Sequence, residues 1–144
     1  MDAQVTAIDT RARTAGRGLH VALWIVQGLL ALAFGMAGVM KVSLPIAELA
    51  EKLPLAADLP RLVRFIGVSE LAGAIGLILP ALLRIRPRLT ALAGVGLVTV
   101  MLLGSIFHAT RGEWSPIAIN AVLGGLAAFV AWGRFRGAPI AARA

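Results

Sequence analysis

Four polar side chains with useful chemistry fall inside or at the ends of long apolar runs. Glu70 is the only acid within such a run, and Lys41 and His108 end two others. Asn120 lies about one turn into the last run. A carboxylate, an amine and an imidazole that meet in one place can transfer protons and stabilise charge, so we treat these residues as candidates for a binding or catalytic site.

The composition predicts a membrane protein. Of 144 residues, 59% are apolar and 15% are charged, against about 45–50% and about 25% in an average soluble domain. A chain this short has too much surface to bury so much apolar material in water. The absence of cysteine excludes disulfides and thiolate chemistry. The basic excess is clustered at the ends of apolar runs, which is typical of membrane proteins and argues against nucleic-acid binding.

We predict an all-α fold, a polytopic four-transmembrane-helix bundle. Each apolar run is close to the roughly 17–25 residues that cross a bilayer as a helix. Between Pro45 and Pro54, apolar residues recur at helical spacing from Ile46 to Leu53, so we predict a short amphipathic helix in the first extracytoplasmic loop. The predicted spans are residues 21–40, 65–83, 89–107 and 116–132.

The predicted domain organisation has three parts. Residues 1–18 are expected to form a mobile N-terminal tail, residues 19–135 the membrane domain and residues 136–144 the C-terminal tail. With four spans both tails lie on one side, where nine Lys and Arg fall against five on the other. By the positive-inside rule we therefore predict that both termini lie in the cytoplasm. The predicted location is the plasma or inner membrane of the cell.

The topology brings the four polar residues to one level. The first and third spans end at the same side at which the second and fourth begin. At about 1.5 Å per residue, the four candidates named above then lie within roughly 10 Å in depth. Arg64 lies nearby in sequence, and Gly38 and Gly73 offer small faces that allow helices to approach closely, so we include all three in the predicted pocket.

Simpler roles remain open for every member of this set. Glu70 can form an ion pair with Lys41 or Arg64 that only fixes packing, and His108 can simply end a helix. Asn120 can be an interhelical hydrogen-bonding residue. One Glu and one His are too few to predict a metal site. A haem with two imidazole ligands is also not expected, because His20 and His108 lie at opposite ends of the bundle.

Several of these residues resemble the pattern of the DoxX-like family of small four-helix membrane proteins. The resemblance rests on Phe34-Gly-Met-Ala-Gly-Val-Met-Lys41 with Pro45 after it, and on Gly67-x-x-Glu70-x-x-Gly73. The resemblance covers about residues 20–135. Lys41, Glu70 and His108 match positions that are characteristic of the family pattern. The family resemblance implies association with membrane oxidoreductases, since its name-giving members are similar to small subunits of a thiosulfate:quinone oxidoreductase.

Three functions follow as hypotheses. The first is a non-catalytic membrane subunit or scaffold of a redox complex, as the resemblance implies. The second is a small enzyme or binder for a lipid, quinone or isoprenoid, with Glu70 as acid or base, His108 as a second proton-transfer group and Lys41 or Arg64 stabilising charge. The third is purely structural. No cofactor is evident, a quinone ligand is left open, and the expected partners are the bilayer, an oxidoreductase subunit or further copies of the chain.

Overall fold

The polypeptide is helical almost throughout. A computed structural model describes the backbone of residues 2–143 and the side chains of residues 16–143, and this part of the chain contains no β-strand. The all-α prediction is confirmed. The elements are α1 (Asp2–Ser43), α2 (Ile46–Lys52), α3 (Leu55–Asp58), α4 (Pro60–Leu83), α5 (Arg88–Thr110), α6 (Trp114–Trp132) and a π-helical turn (Gly133–Gly137).

Four of these helices are long and apolar enough to cross a membrane. The qualifying segments are residues 16–43, 60–83, 88–110 and 114–137, and each contains one predicted span. The segments exceed the predictions because helical hydrogen bonding continues past charged residues such as Lys41 and Arg64, at which the apolar pattern stops. Helix α1 begins at Asp2. The mobility of the N-terminal tail stays a prediction, because side chains 1–15 lie outside the described residues.

The bundle has two unlike ends. At the long-loop end, α1 and α5 finish, α4 and α6 start, and residues 44–59 form the longest connection. At the short-turn end, residues 84–87 join α4 to α5, and the π-helical turn follows α6. Helix α1 packs on α4, α4 on α5 and α5 on α6, while α6 and the π-helical turn return to α1. Large apolar side chains from all four spans fill the centre: Leu23, Leu30, Phe34, Leu77, Leu97 and Val130.

Glycines allow the closest helix crossings, because a neighbour occupies the space a side chain would need. A Cβ atom added to Gly38 would lie 2.8 Å from the carbonyl oxygen of Gly67. One added to Gly73 would lie 2.5 Å from Cδ2 of Leu97. Small residues are the usual means by which transmembrane helices approach closely. These crossings fix α1 against α4 and α4 against α5, and thereby position the polar side chains beside them.

The predicted amphipathic helix is present as α2. Leu49 is fully buried on its inner face, whereas Glu48 and Lys52 are exposed. Leu49 packs in a small second core with Ala56 of α3 and Val63 of α4. The single turn α3 was not predicted, because four residues are too short to show helical periodicity. Together α2 and α3 cover the long-loop end.

Candidate functional site

A cavity of about 360 Å³ lies at the long-loop end, mainly between α4 and α5 and beside α3. Most of its wall is apolar, with side chains such as Leu55, Ile66 and Phe107. This combination of apolar wall and a few polar groups is typical of sites for small hydrophobic ligands. The polar and charged residues of the wall are Lys41, Ser69, Glu70, His108, Arg111, Glu113 and Asn120.

The four residues predicted to converge do line this one cavity. Lys41 comes from the end of α1, Glu70 from α4, His108 from the end of α5 and Asn120 from the start of α6. Their meeting follows from the up-and-down topology, in which alternate helices finish and start at the same end. The structure therefore supplies the geometry that the sequence predicted for a site, while their roles stay predictions.

Lys41 and Glu70 form an ion pair in the wall of the cavity. The Nζ atom of Lys41 donates to both carboxylate oxygens of Glu70, at 2.9 Å to Oε1 and 2.7 Å to Oε2. The side chains are only 13% and 5% exposed. A buried carboxylate requires such a partner, because an unpaired charge at this depth is costly. Of the two partners that the sequence left open for Glu70, the structure selects Lys41.

A second charged group in the cavity wall consists of His108, Arg111 and Glu113. The Nδ1 atom of His108 lies 2.6 Å from Oε2 of Glu113, and Nε of Arg111 donates to Oε1 at 2.8 Å. The carboxylate only accepts, so His108 carries its proton on Nδ1 in this contact. Hydrogen bonds from Arg111 and from His108 hold the pKa of Glu113 below its ordinary value. The arrangement leaves Nε2 of a neutral His108 as a proton acceptor.

Asn120 completes the polar set from α6. Its side chain is half-buried, and its Nδ2 atom would lie 3.0 Å from a Cβ atom added to Gly104. The absence of a side chain at Gly104 thus allows the amide to approach α5 at the cavity wall. An amide offers both a donor and an acceptor, so Asn120 suits a ligand with a carbonyl or hydroxyl group.

Three residues predicted for the pocket lie beside it instead of in its wall. The guanidinium of Arg64 donates to the carbonyl oxygens of Lys41, at 2.5 Å, and of Leu44, at 2.6 Å. Arg64 therefore caps the carboxyl end of α1, where carbonyls have no partner within the helix. Gly38 and Gly73 occupy the helix crossings described above. All three position the site by fixing α1, α4 and α5, and a direct binding role for them stays a prediction.

The cavity reaches the lipid-facing surface between α4 and α5. Phe65 and Leu103 both line it, yet they are 68% and 63% exposed. Side chains that contact the interior of a cavity and also face outward mark its opening. In a bilayer this opening faces acyl chains, so a membrane-soluble molecule has a lateral route to the ion pair.

A buried polar network at the short-turn end was not predicted. Arg134 of the π-helical turn is 4% exposed and donates from Nε to Oε1 of Gln27 at 2.6 Å. Gln27 is fully buried and donates to the carbonyl oxygen of Leu77 at 2.5 Å. Gln27, a polar residue within the first span, could have indicated a buried network. Arg134 gave no such indication, because a basic residue at the end of a span is ordinary.

The described residues contain no group of three or more His, Asp or Glu side chains that could hold a metal ion. The expectation of no metal site and no cofactor stays a prediction. Comparison with protein families matches residues 25–130 to the DoxX-like family. No curated protein matches the chain, and no solved structure does. The family match includes the helix crossings and all four residues that converge on the cavity. The chain therefore belongs to the DoxX-like family.

Proposed function

We propose that this protein binds an amphipathic, membrane-soluble molecule in the cavity at the long-loop end. The observation that carries the proposal is a buried Lys41–Glu70 ion pair in the wall of an otherwise apolar cavity that opens toward lipid. A purely structural pair needs no space beside it. The polar head of the molecule would form hydrogen bonds with the ion pair, and its apolar part would extend toward lipid between α4 and α5.

The charges of the cavity favour a neutral polar head. Lys41 balances Glu70, and Arg111 balances Glu113, so neither pair leaves a free charge for an ion to neutralise. A carbonyl or hydroxyl head can accept from Lys41 or Asn120, and a hydroxyl head can also donate to Glu70. Quinones, isoprenoid alcohols and neutral lipids have this chemistry. A quinone is the first ligand to test, because the family resemblance implies a redox association.

Catalysis on the bound molecule is a further part of this proposal. Glu70 and His108 are the two groups in the cavity that can exchange protons with a polar head, with Lys41 beside the carboxylate to stabilise negative charge. We expect turnover of a substrate to depend on these residues. Binding alone requires only the shape of the cavity and its hydrogen-bonding groups.

A second candidate is the membrane subunit of a redox complex. What favours this role is the membership of the DoxX-like family, since the resemblance implies association with membrane oxidoreductases. Electrons would then reach a bound quinone from another subunit. Affinity purification from the native membrane in mild detergent tests this role, and isolation without any oxidoreductase subunit contradicts it.

Binding can be tested with the purified full-length protein in detergent, using a short-chain ubiquinone as the probe. We expect saturable binding to the wild type and loss of binding in Lys41→Met/Glu70→Met, which removes both charges together. Glu51→Gln is the matched control, because Glu51 is an exposed acid at the same end but outside the cavity. Equal binding by the wild type and by the folded double variant contradicts the proposal.

A further inference from the structure

The short-turn end contains a buried cation without a carboxylate partner. Arg134 has no carboxylate partner among the described residues: it bonds to Gln27, the His20 ring and the carbonyl oxygen of Ala138, and its Cζ atom lies 5.3 Å from the centroid of the Trp24 ring. Its Nη2 atom is buried and has no hydrogen-bond partner in this part of the chain. Buried polar atoms are nearly always hydrogen-bonded, and a buried charge is usually paired. The guanidinium therefore has a free donor and a positive charge with which it can bind an anion.

The π-helical turn sets this position. Gly133 and Gly137 flank the segment, and a Cβ atom on either would lie within 3 Å of a leucine of α1, at 2.5 Å from Leu23 and 2.9 Å from Leu19. The glycines thus let the turn lie directly against α1, with Arg134 directed inward. Single π-helical turns are uncommon and occur frequently at functional sites.

The hydrogen bonds around His20 show a surplus of donors. Nε1 of Trp24 donates to Nε2 of His20 at 3.1 Å, and Nη1 of Arg134 lies 3.2 Å from Nδ1 of the same ring. Indole and guanidinium groups only donate, whereas a neutral imidazole has one acceptor nitrogen. His20 can satisfy one of these donors but not both. Together with Nη2 of Arg134, at least two N–H groups lack an acceptor.

Among the described side chains, every charged one at the short-turn end is basic. All acids with described side chains belong to the half of the molecule nearer the long-loop end, and Asp2 and Asp9 fall among the residues without described side chains. The amide of Arg143 donates to the carbonyl oxygen of Arg84 at 2.9 Å, which holds the C-terminal segment against the short turn. Besides Arg134, the arginines with described side chains at this end are Arg17, Arg84, Arg86, Arg88, Arg136 and Arg143.

We propose that the short-turn end binds the phosphate group of an anionic membrane lipid at Arg134 and Trp24. The exposed His20 ring moves aside, and phosphate oxygens accept from Nε1 of Trp24 and from the guanidinium. The two donors that now share the His20 ring then each have an acceptor, and the charge of the guanidinium is balanced. A lipid is favoured over free phosphate because Val21 and Ile25 on the same part of α1 are 56% and 58% exposed and can contact its acyl chains.

The test uses the purified full-length protein in neutral detergent, with native mass spectrometry to count bound ligands. The probes are short-chain phosphatidylglycerol, short-chain phosphatidylcholine and inorganic phosphate. We expect phosphatidylglycerol to bind at least tenfold more tightly than either of the others. Equal affinity for the two lipids overturns the anion site, and equal affinity for inorganic phosphate overturns the assignment to a lipid.

Three variants connect the binding to these residues. Trp24→Phe removes one N–H group but keeps a ring beside the guanidinium, and we expect about a tenfold loss of affinity, typical of a hydrogen bond to a charged group. Arg134→Gln should abolish the preference for phosphatidylglycerol. Arg136→Gln is the matched control, since it removes an exposed arginine at the same end and should change affinity less than twofold. Wild-type affinity in folded Trp24→Phe overturns the proposal.

Discussion

The two ends of the bundle each bury a cation, but they neutralise it differently. At the long-loop end the ammonium of Lys41 lies against both oxygens of the Glu70 carboxylate. At the short-turn end the guanidinium of Arg134 meets an amide, an imidazole and a carbonyl. The first group is neutral as a pair and borders a cavity, whereas the second keeps its positive charge and an unused donor.

This difference separates the ligands that each end suits. A balanced ion pair has no net charge to attract an ion, but its donors and acceptors can still orient a neutral polar head in the cavity. An unbalanced guanidinium attracts an anion, and it does so at the end where the other arginines gather. We therefore expect a buried cation to suit a neutral ligand at one end and an anion at the other, because its partner differs.

The largest effect should come from separating the ion pair. Lys41→Met leaves the carboxylate of Glu70 buried beside an apolar group, and we expect a loss of roughly 3–5 kcal/mol in the free energy of unfolding, the range for breaking a buried pair. Unfolding of the purified protein in mixed micelles with increasing dodecyl sulfate measures this change.

The double variant Lys41→Met/Glu70→Met supplies the control. Removing both charges at once leaves no unpaired group, so most of the lost stability should return. If the single and double variants are equally unstable, packing around the lysine stem matters more than its charge. Charge pairing would then not explain the difference between the two ends.

Removal of the other cation should cost less. Arg134→Met leaves behind only neutral acceptors such as the side chain of Gln27, and we expect a loss of about 1–3 kcal/mol, the penalty for unsatisfied buried polar groups. The same unfolding measurement in neutral detergent without anionic lipid checks this value. A loss equal to that of Lys41→Met would show that charge pairing does not distinguish the two ends.

A smaller contrast concerns the glycines that position the two sites. A Cβ atom at Gly67 would lie 2.7 Å from Cβ of Lys41, close to the backbone, so Gly67→Ala must displace α1 and should cost about 1–2 kcal/mol. A Cβ atom at Gly133 would lie 2.5 Å from Cδ2 of Leu23, an atom farther from the backbone than a Cβ atom, so a change in the Leu23 side-chain angles can absorb part of the overlap. Gly133→Ala should therefore destabilise less, and Gly28→Ala, with no atom within 4 Å, is the control.

The sequence predicted the long-loop site far better than the short-turn network. Glu70 stands out as an acid in an apolar run, and the alternation of four spans then places Lys41, His108 and Asn120 at its level. Arg134 gives no such signal, because basic residues normally end transmembrane helices and only the π-helical turn directs this one inward. Arg64, predicted for the pocket, lies beside the cavity and donates to the carbonyls at the end of α1, a contact that depends on loop geometry that no periodicity reveals.

The smallest effect we expect is a dependence of stability on pH that arises from Glu113 at the long-loop end. Bonds from Arg111 and His108 lower the pKa of Glu113 in the folded protein, so this carboxylate stabilises the fold above its ordinary pKa of about 4.3. That stabilisation is lost as pH falls through the lowered value. Asp58 adds a second negative charge near Arg111 and does not change the direction.

Glu113→Gln should therefore reduce the difference in unfolding free energy between pH 6 and pH 3, while Glu51→Gln, an exposed acid outside this cluster, should leave it nearly unchanged. The group is open to solvent, so the difference is small and salt should weaken it further. Arg136→Gln at the short-turn end should leave the pH dependence as in the wild type, because it removes no titrating acid. A pH dependence unaffected by Glu113→Gln would assign the acid sensitivity to other carboxylates of the chain.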